Sequence, residues 1–159
     1  MGDIKRRRKR YVRPRRLHDI KRVEEENKII ESYGLKNKRE IWKADTAVSE
    51  MRKRGKLLIS SEEKDKLEFF NKLYRLGLNV NSVEDVLALT KEDWLNRRLQ
   101  TEVFKKGLAK TLKQARQLIV HKNILVNNEI VNSPSFVVTR ELEDKIKIKE
   151  KNMGAKKNE

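Results

Sequence analysis

The chain has 159 residues, is 36% hydrophobic and 40% charged, and carries a formal net charge of +16 with no cysteine. That length and apolar content allow one domain or a small core with appendages, and nothing larger. Disulfides and thiolate metal sites are excluded, no apolar run approaches the roughly 20 residues of a membrane span, and no secretory leader is expected.

The charge is concentrated. Residues 1–22 hold eleven Lys or Arg against Asp3 and Asp19, and residues 95–122 hold eight against Glu102. The remaining segments are nearly balanced. Two basic blocks on an otherwise neutral chain favour a polyanionic partner over a general solvating role.

The first block runs through Lys5, Arg6, Arg7, Arg8, Lys9, Arg10, Arg13, Arg15 and Arg16. It has no apolar periodicity, so an arm that gains order when phosphates neutralise it is expected over residues 1–18. A localisation signal or a solubilising tail is the plainer alternative.

A series of helices follows in a region spanning residues 19–90. Val23, Ile29, Ile30 and Tyr33 mark an amphipathic helix over about 19–33 that stops at Gly34. Asn37 with Glu40 reads as a capping box opening a helix through Ile41, Trp42, Val48 and Met51. Residues 52–59, with Gly55 inside, read as a basic break. Ser60 with Glu63 opens the next helix, Ser82 with Asp85 a short turn, Thr90 with Asp93 another helix and Thr111 with Gln114 the last. Gly34-Leu35, Gly77-Leu78 and Gly107-Leu108 share one ending, a left-handed glycine followed by a leucine that packs back on the final turn. Glu24, Glu25 and Glu26 are consecutive, so they fan around their helix as a solvated face or as pairs for nearby bases.

After residue 122 the apolar period changes to two. Ile124-Leu125-Val126, Asn127-Asn128 and Glu129-Ile130-Val131 form a hairpin signal, since Asn tolerates positive φ at both turn positions. Phe136-Val137-Val138 and Lys145 to Lys149 supply further short strands. A polar, flexible tail is expected over 150–159. The fold class is therefore α+β: arm, helical region, then a module over 91–149 of two helices and a small antiparallel sheet.

Leu95, Leu99 and Val103 form one apolar stripe of that module, and Leu112, Ala115 and Ile119 form the other. Arg98 and Lys105, seven apart, are expected on one exposed face, as are Lys113, Arg116 and Gln117. Arg97, Lys106, His121 and Lys122 complete the set, and Lys105, Lys113 and Arg116 have no acid at i+4 to pair them. Guanidinium forks suit phosphates, while Gln117 and His121 offer hydrogen bonds to sugars or bases. The bland reading is a solvated basic face. His18 and His121 lie far apart without metal spacing, and no phosphate-cradling glycine loop occurs. No enzyme activity, cofactor, metal or small-molecule substrate is expected.

Leu95-x-Arg97-Arg98-Leu99, Lys106-Gly107-Leu108-Ala109-x-Thr111, Ala115-Arg116-Gln117-Leu118-Ile119-x-His121 and Val126-Asn127 through Pro134-Ser135-Phe136 resemble the RNA-binding module of the small-subunit ribosomal protein S-four (S4) family. Gly34 to Lys43 and Asn71 to Leu78 resemble its archaeal form. The resemblance implies a cytoplasmic constituent of the small ribosomal subunit. It would bind the 5′ domain of the ribosomal RNA early in assembly, near the messenger entrance and the S-five family protein, and affect decoding accuracy. It makes Arg97, Arg98, Lys105, Lys113, Arg116, Gln117, His121 and Lys122 RNA-facing. There are departures: Lys122-Asn123 stands where the family has Gly-His, with Asn123 expected to take the left-handed conformation, and Asn128 replaces the hairpin glycine. A zinc site found in some relatives needs cysteines this chain lacks. The alternatives are a stand-alone RNA-binding or RNA-modification accessory factor using the same module, and a DNA-compacting basic protein.

Overall fold

The structure, a computed structural model, describes residues 9–149. The chain forms two compact units, one ending at Arg97 and the other beginning at Arg98.

The first unit contains α1 (Ile20–Tyr33), α2 (Lys38–Leu58), α3 (Glu63–Arg75), α4 (Val83–Ala88) and α5 (Lys91–Asn96). Its centre is α2, which packs against α1, α4 and α5. Ile41 and Ala44 meet Ile29, Leu35 and Leu95 in one apolar cluster, and Val48 meets Phe69, Leu73 and Val86 in a second. Trp94 packs against both. The helix ends at glycine form as expected: Gly34 has φ 58° and Gly77 φ 81°, and Leu35 and Leu78 donate back to Ile30 and Leu73 at 3.0 and 3.1 Å. In that conformation a side chain would crowd the following carbonyl, so glycine is favoured.

Ser82 and Thr90 form complete capping boxes with Asp85 and Asp93. The Asn81 and Ser82 N–H groups and the Ser82 hydroxyl hold the Asp85 carboxyl below its ordinary value. Two other expected boxes do not form. Asn37 caps α2 without a side-chain bond, and Glu40 instead accepts from the Lys36 N–H at 3.3 Å. α3 begins after Glu62 instead of Ser60, with acids in its first turn where the helix dipole favours them.

Gly55 does not break α2. A Cβ there would lie 2.9 Å from Cγ1 of the fully buried Val86, so the glycine lets α4 approach the α2 backbone. The described part of the arm is also not detached. The Tyr11 ring lies 5.9 Å from that of Trp42, and the Val12 N–H donates to Thr46 Oγ1 at 3.1 Å. Arg6, Arg7, Arg8 and the polar tail fall outside the described residues.

The second unit contains α6 (Leu99–Lys105), α7 (Leu112–Val120), β1 (Ile124–Val126), β2 (Glu129–Ile130), α8 (Arg140–Glu143) and β3 (Ile146–Ile148). The strands form an antiparallel sheet of order β2-β1-β3, with Leu125 opposite both Ile130 and Lys147. With the helices this is the expected α+β class. Leu99, Val103, Ala115, Ile119, Ile124, Val138 and Ile146 make its core. Asn127 and Asn128 have φ 53° and 67°, which makes the hairpin turn type I′.

Three expectations are corrected. Leu95 does not share a stripe with Leu99 and Val103, because the helix stops at Asn96 and Leu95 belongs to the first unit's core. The Leu99 N–H, which a continuous helix would direct at Leu95, bonds the Phe136 carbonyl at 2.8 Å. Phe136 to Val138 are consequently no strand of the sheet, and Val137 makes only a bridge with Arg98. The left-handed residue after α7 is Lys122 (φ 60°), not Asn123, although the ending is the same as at the glycines, with Asn123 donating to Leu118 at 3.0 Å. The short α8 carries no apolar period and was not expected.

Candidate RNA-binding surface

α7 is fixed at its N-terminus. Thr111 Oγ1 accepts from the Gln114 N–H at 3.1 Å, and Gln114 Oε1 accepts from the Lys110 N–H at 2.8 Å. The buried Ala115 and Ile119 hold one face on the core. A helix turns 100° per residue, so Lys113, Gln117 and His121 project on the other side. All three are exposed, as are Lys110 and Lys122. Lys122 is carried beyond the helix end by its left-handed backbone.

Arg116 lies at the margin of that face. It is half-buried, and its Nη1 donates to Gln100 Oε1 at 3.3 Å, while Gln100 Nε2 donates to the Leu112 carbonyl at 3.0 Å. Gln100 is itself 1% exposed. The guanidinium is thus held against α6 by a buried amide. Preorganised forks of this kind suit phosphate oxygens better than mobile ones.

α6 departs from the expected pattern. Arg98 is 5% exposed and caps the helix, its carbonyl accepting from Thr101 and Glu102 at 2.9 and 3.0 Å. It does not share an outward face with Lys105, since the helix that would have placed them two turns apart starts after Arg98. Lys105 is exposed and pairs with buried Glu102, Nζ to Oε1 3.2 Å. Half-buried Lys106 lies 3.5 Å from Asp144. Lys105 and Lys106 therefore have acidic partners, the first within α6 at i−3 and the second distant in sequence.

Arg97 belongs to the first unit. Its Nε donates to the Leu76 carbonyl at 3.1 Å, and a Cβ on Gly77 would fall 2.3 Å from its Cζ. That side chain closes the end of α3. In the arm, Lys9, Arg10, Arg13, Arg15 and Arg16 are all exposed.

The structure adds cations the sequence reading left without a role. Ile146 is buried and Lys147 exposed, so alternation places Lys145, Lys147 and Lys149 on the outer side of β3. The two-residue spacing of these lysines was the available signal. The same lysines also guard an edge strand against pairing with another chain.

A two-helix module with a basic helical face, backed by a three-stranded antiparallel sheet, defines an S4-domain protein, and residues 97–144 match the S4 domain. The chain is 43% identical over 152 residues to small ribosomal subunit protein uS4 of Methanothermobacter thermautotrophicus, covering 92% of this chain and 89% of that relative. It is 44% identical over 151 residues to small ribosomal subunit protein uS4 of Nanoarchaeum equitans, covering 89% and 83%. The chain belongs to the archaeal-type uS4 family of small ribosomal subunit proteins.

Proposed function

We propose that this chain is a non-catalytic constituent of the small ribosomal subunit, in the cytoplasm, that binds the 5′ domain of the ribosomal RNA and nucleates assembly of the subunit body. On this reading it lies near the messenger entrance beside the S-five family protein and contributes to decoding accuracy. The observation that carries RNA binding is the exposed face of α7, where Lys113 and Gln117 are held on an apolar-backed helix, His121 and Lys122 follow at its C-terminal end, and Arg116 is anchored beside them. Lys105 and the exposed arm bases extend the contact set, and the 91–149 module is its platform. Arg98 is left out because it is buried, and Arg97 because its guanidinium serves α3. The printed names of the relatives support the ribosomal setting.

Sedimentation tests the reading. Added to small subunits depleted of their own copy, the chain is expected to pellet with them through a high-salt cushion and to protect 5′-domain nucleotides from chemical probing. Recovery only at low salt, with protection spread evenly over the RNA, would contradict it. Equal recovery with large subunits would point to the stand-alone factor instead.

A further inference from the structure

Glu26 is 4% exposed, in a run of three glutamates that reads as a solvated face or as pairs for nearby bases. An isolated carboxylate at that depth is costly, so its partners matter. Arg22, one turn earlier on α1, donates to its Oε1. Trp42 Nε1 donates to the same oxygen at 3.0 Å, and Lys38 Nζ lies 3.5 Å from Oε2. Lys38 and Trp42 are one turn apart on α2, so a single carboxylate ties α1 to α2.

The same partners hold the root of the basic arm. Arg22 Nη2 donates to the carbonyls of Arg16 and Leu17, both at 3.0 Å. Trp42 carries Tyr11 on its ring, and one turn further along α2 Thr46 Oγ1 accepts from the Val12 N–H while donating to the Trp42 carbonyl at 2.7 Å. Neutralising the carboxylate would remove the charge that draws Arg22 and Lys38 and would weaken the bonds that orient Arg22 and Trp42.

We propose that Glu26 is a positioning residue for RNA binding: through Arg22 and Trp42 it fixes the root of the arm, so that Arg10, Arg13, Arg15 and Arg16 meet RNA as an ordered extension of the helical unit. This rests on RNA being the ligand of the arm. A chain segment already held in place loses less conformational freedom on binding than a loose one, which is how a residue that touches no RNA raises affinity. A purely structural ion pair between α1 and α2 would not make RNA affinity depend on Glu26 through the arm.

The test uses full-length Glu26→Gln, in the natural background and in a neutral-arm background carrying Arg10→Gln, Arg13→Gln, Arg15→Gln and Arg16→Gln. Without RNA, Glu26→Gln is expected to speed amide exchange at Val12 and trypsin cleavage after Arg15 and Arg16, with helix content unchanged. It should weaken binding to a folded 5′-domain junction about tenfold in the natural background, the scale of one charge-assisted hydrogen bond. In the neutral-arm background it should change little. Trp42→Phe, which removes the indole donor and keeps a ring for Tyr11, repeats the test should Glu26→Gln loosen the two helices. Unchanged exchange at Val12, or an equal loss of affinity in both backgrounds, overturns the proposal. If neutralising the arm leaves affinity intact while Lys113→Ala weakens it, the proposal falls and the RNA reading stands. If the natural chain does not bind the junction, both fall.

Discussion

Lys122 holds a left-handed backbone that costs a residue with a Cβ about 1–2 kcal/mol relative to glycine. Lys122→Gly is therefore expected to raise stability by about 1 kcal/mol in chemical denaturation and to weaken RNA binding by removing a cation. A stability loss would show that the Lys122 side chain supports the fold. Lys113→Ala lies off the core, so its melting temperature should hold while affinity falls and the slope of log affinity against log salt drops by about 1. Arg98→Ala behaves in the opposite way: the buried side chain makes it a folding variant, with a loss of about 1–3 kcal/mol. Sequence spacing could not separate these two arginine and lysine roles, because exposure at Arg98 depends on where α6 starts. Glu26 gives a pH signature. Burial pushes its carboxyl up, but the bonds from Trp42 and Arg22 and the charges of Arg22 and Lys38 outweigh this and hold it below the ordinary value of 4.5. A depressed carboxylate contributes stability above its unfolded value and loses it as pH falls through the folded one. Denaturation midpoints should thus fall below pH 4.5 in the natural chain and fall less in Glu26→Gln.

Among elements, the glycine endings of α1, α3 and α6 were legible because their whole cause is local: a residue without a Cβ and a leucine that folds back. The hairpin was legible for the same reason, through Asn127 and Asn128. The break between α5 and α6 was not. No glycine or proline marks it, and the decisive bond from Leu99 to Phe136 joins residues far apart in sequence. Gly55 misleads in the other direction, since its purpose lies on α4. Alanine there gains about 1 kcal/mol of helix propensity, but its Cβ would press on buried Val86, and overpacking of this kind costs about 1–3 kcal/mol. Gly55→Ala should therefore lower the melting temperature, and adding Val86→Ala should recover part of the loss. A rise for the single variant would mean that α4 yields.

For the whole molecule, the sequence placed the basic charge in two blocks; the described part of the first is irregular chain leading into α1, much of the second is carried on α6 and α7, and aromatic side chains are few, 6% of the chain. Stacking on an aromatic platform, the usual means of reading single strands, lacks material here. Cations fixed on helices suit phosphates that converge in a folded RNA, so recognition should follow RNA shape. Neutralising many phosphates also makes affinity steeply dependent on salt. The most direct measurement is a salt titration of binding to a folded 5′-domain junction and to an unstructured strand of the same length, with footprinting of both. Tight binding to the junction, weak binding to the strand and a steep salt slope are expected, with protection confined to the junction. Equal affinity for the two RNAs at every salt concentration would contradict shape recognition and leave a polycation without preference.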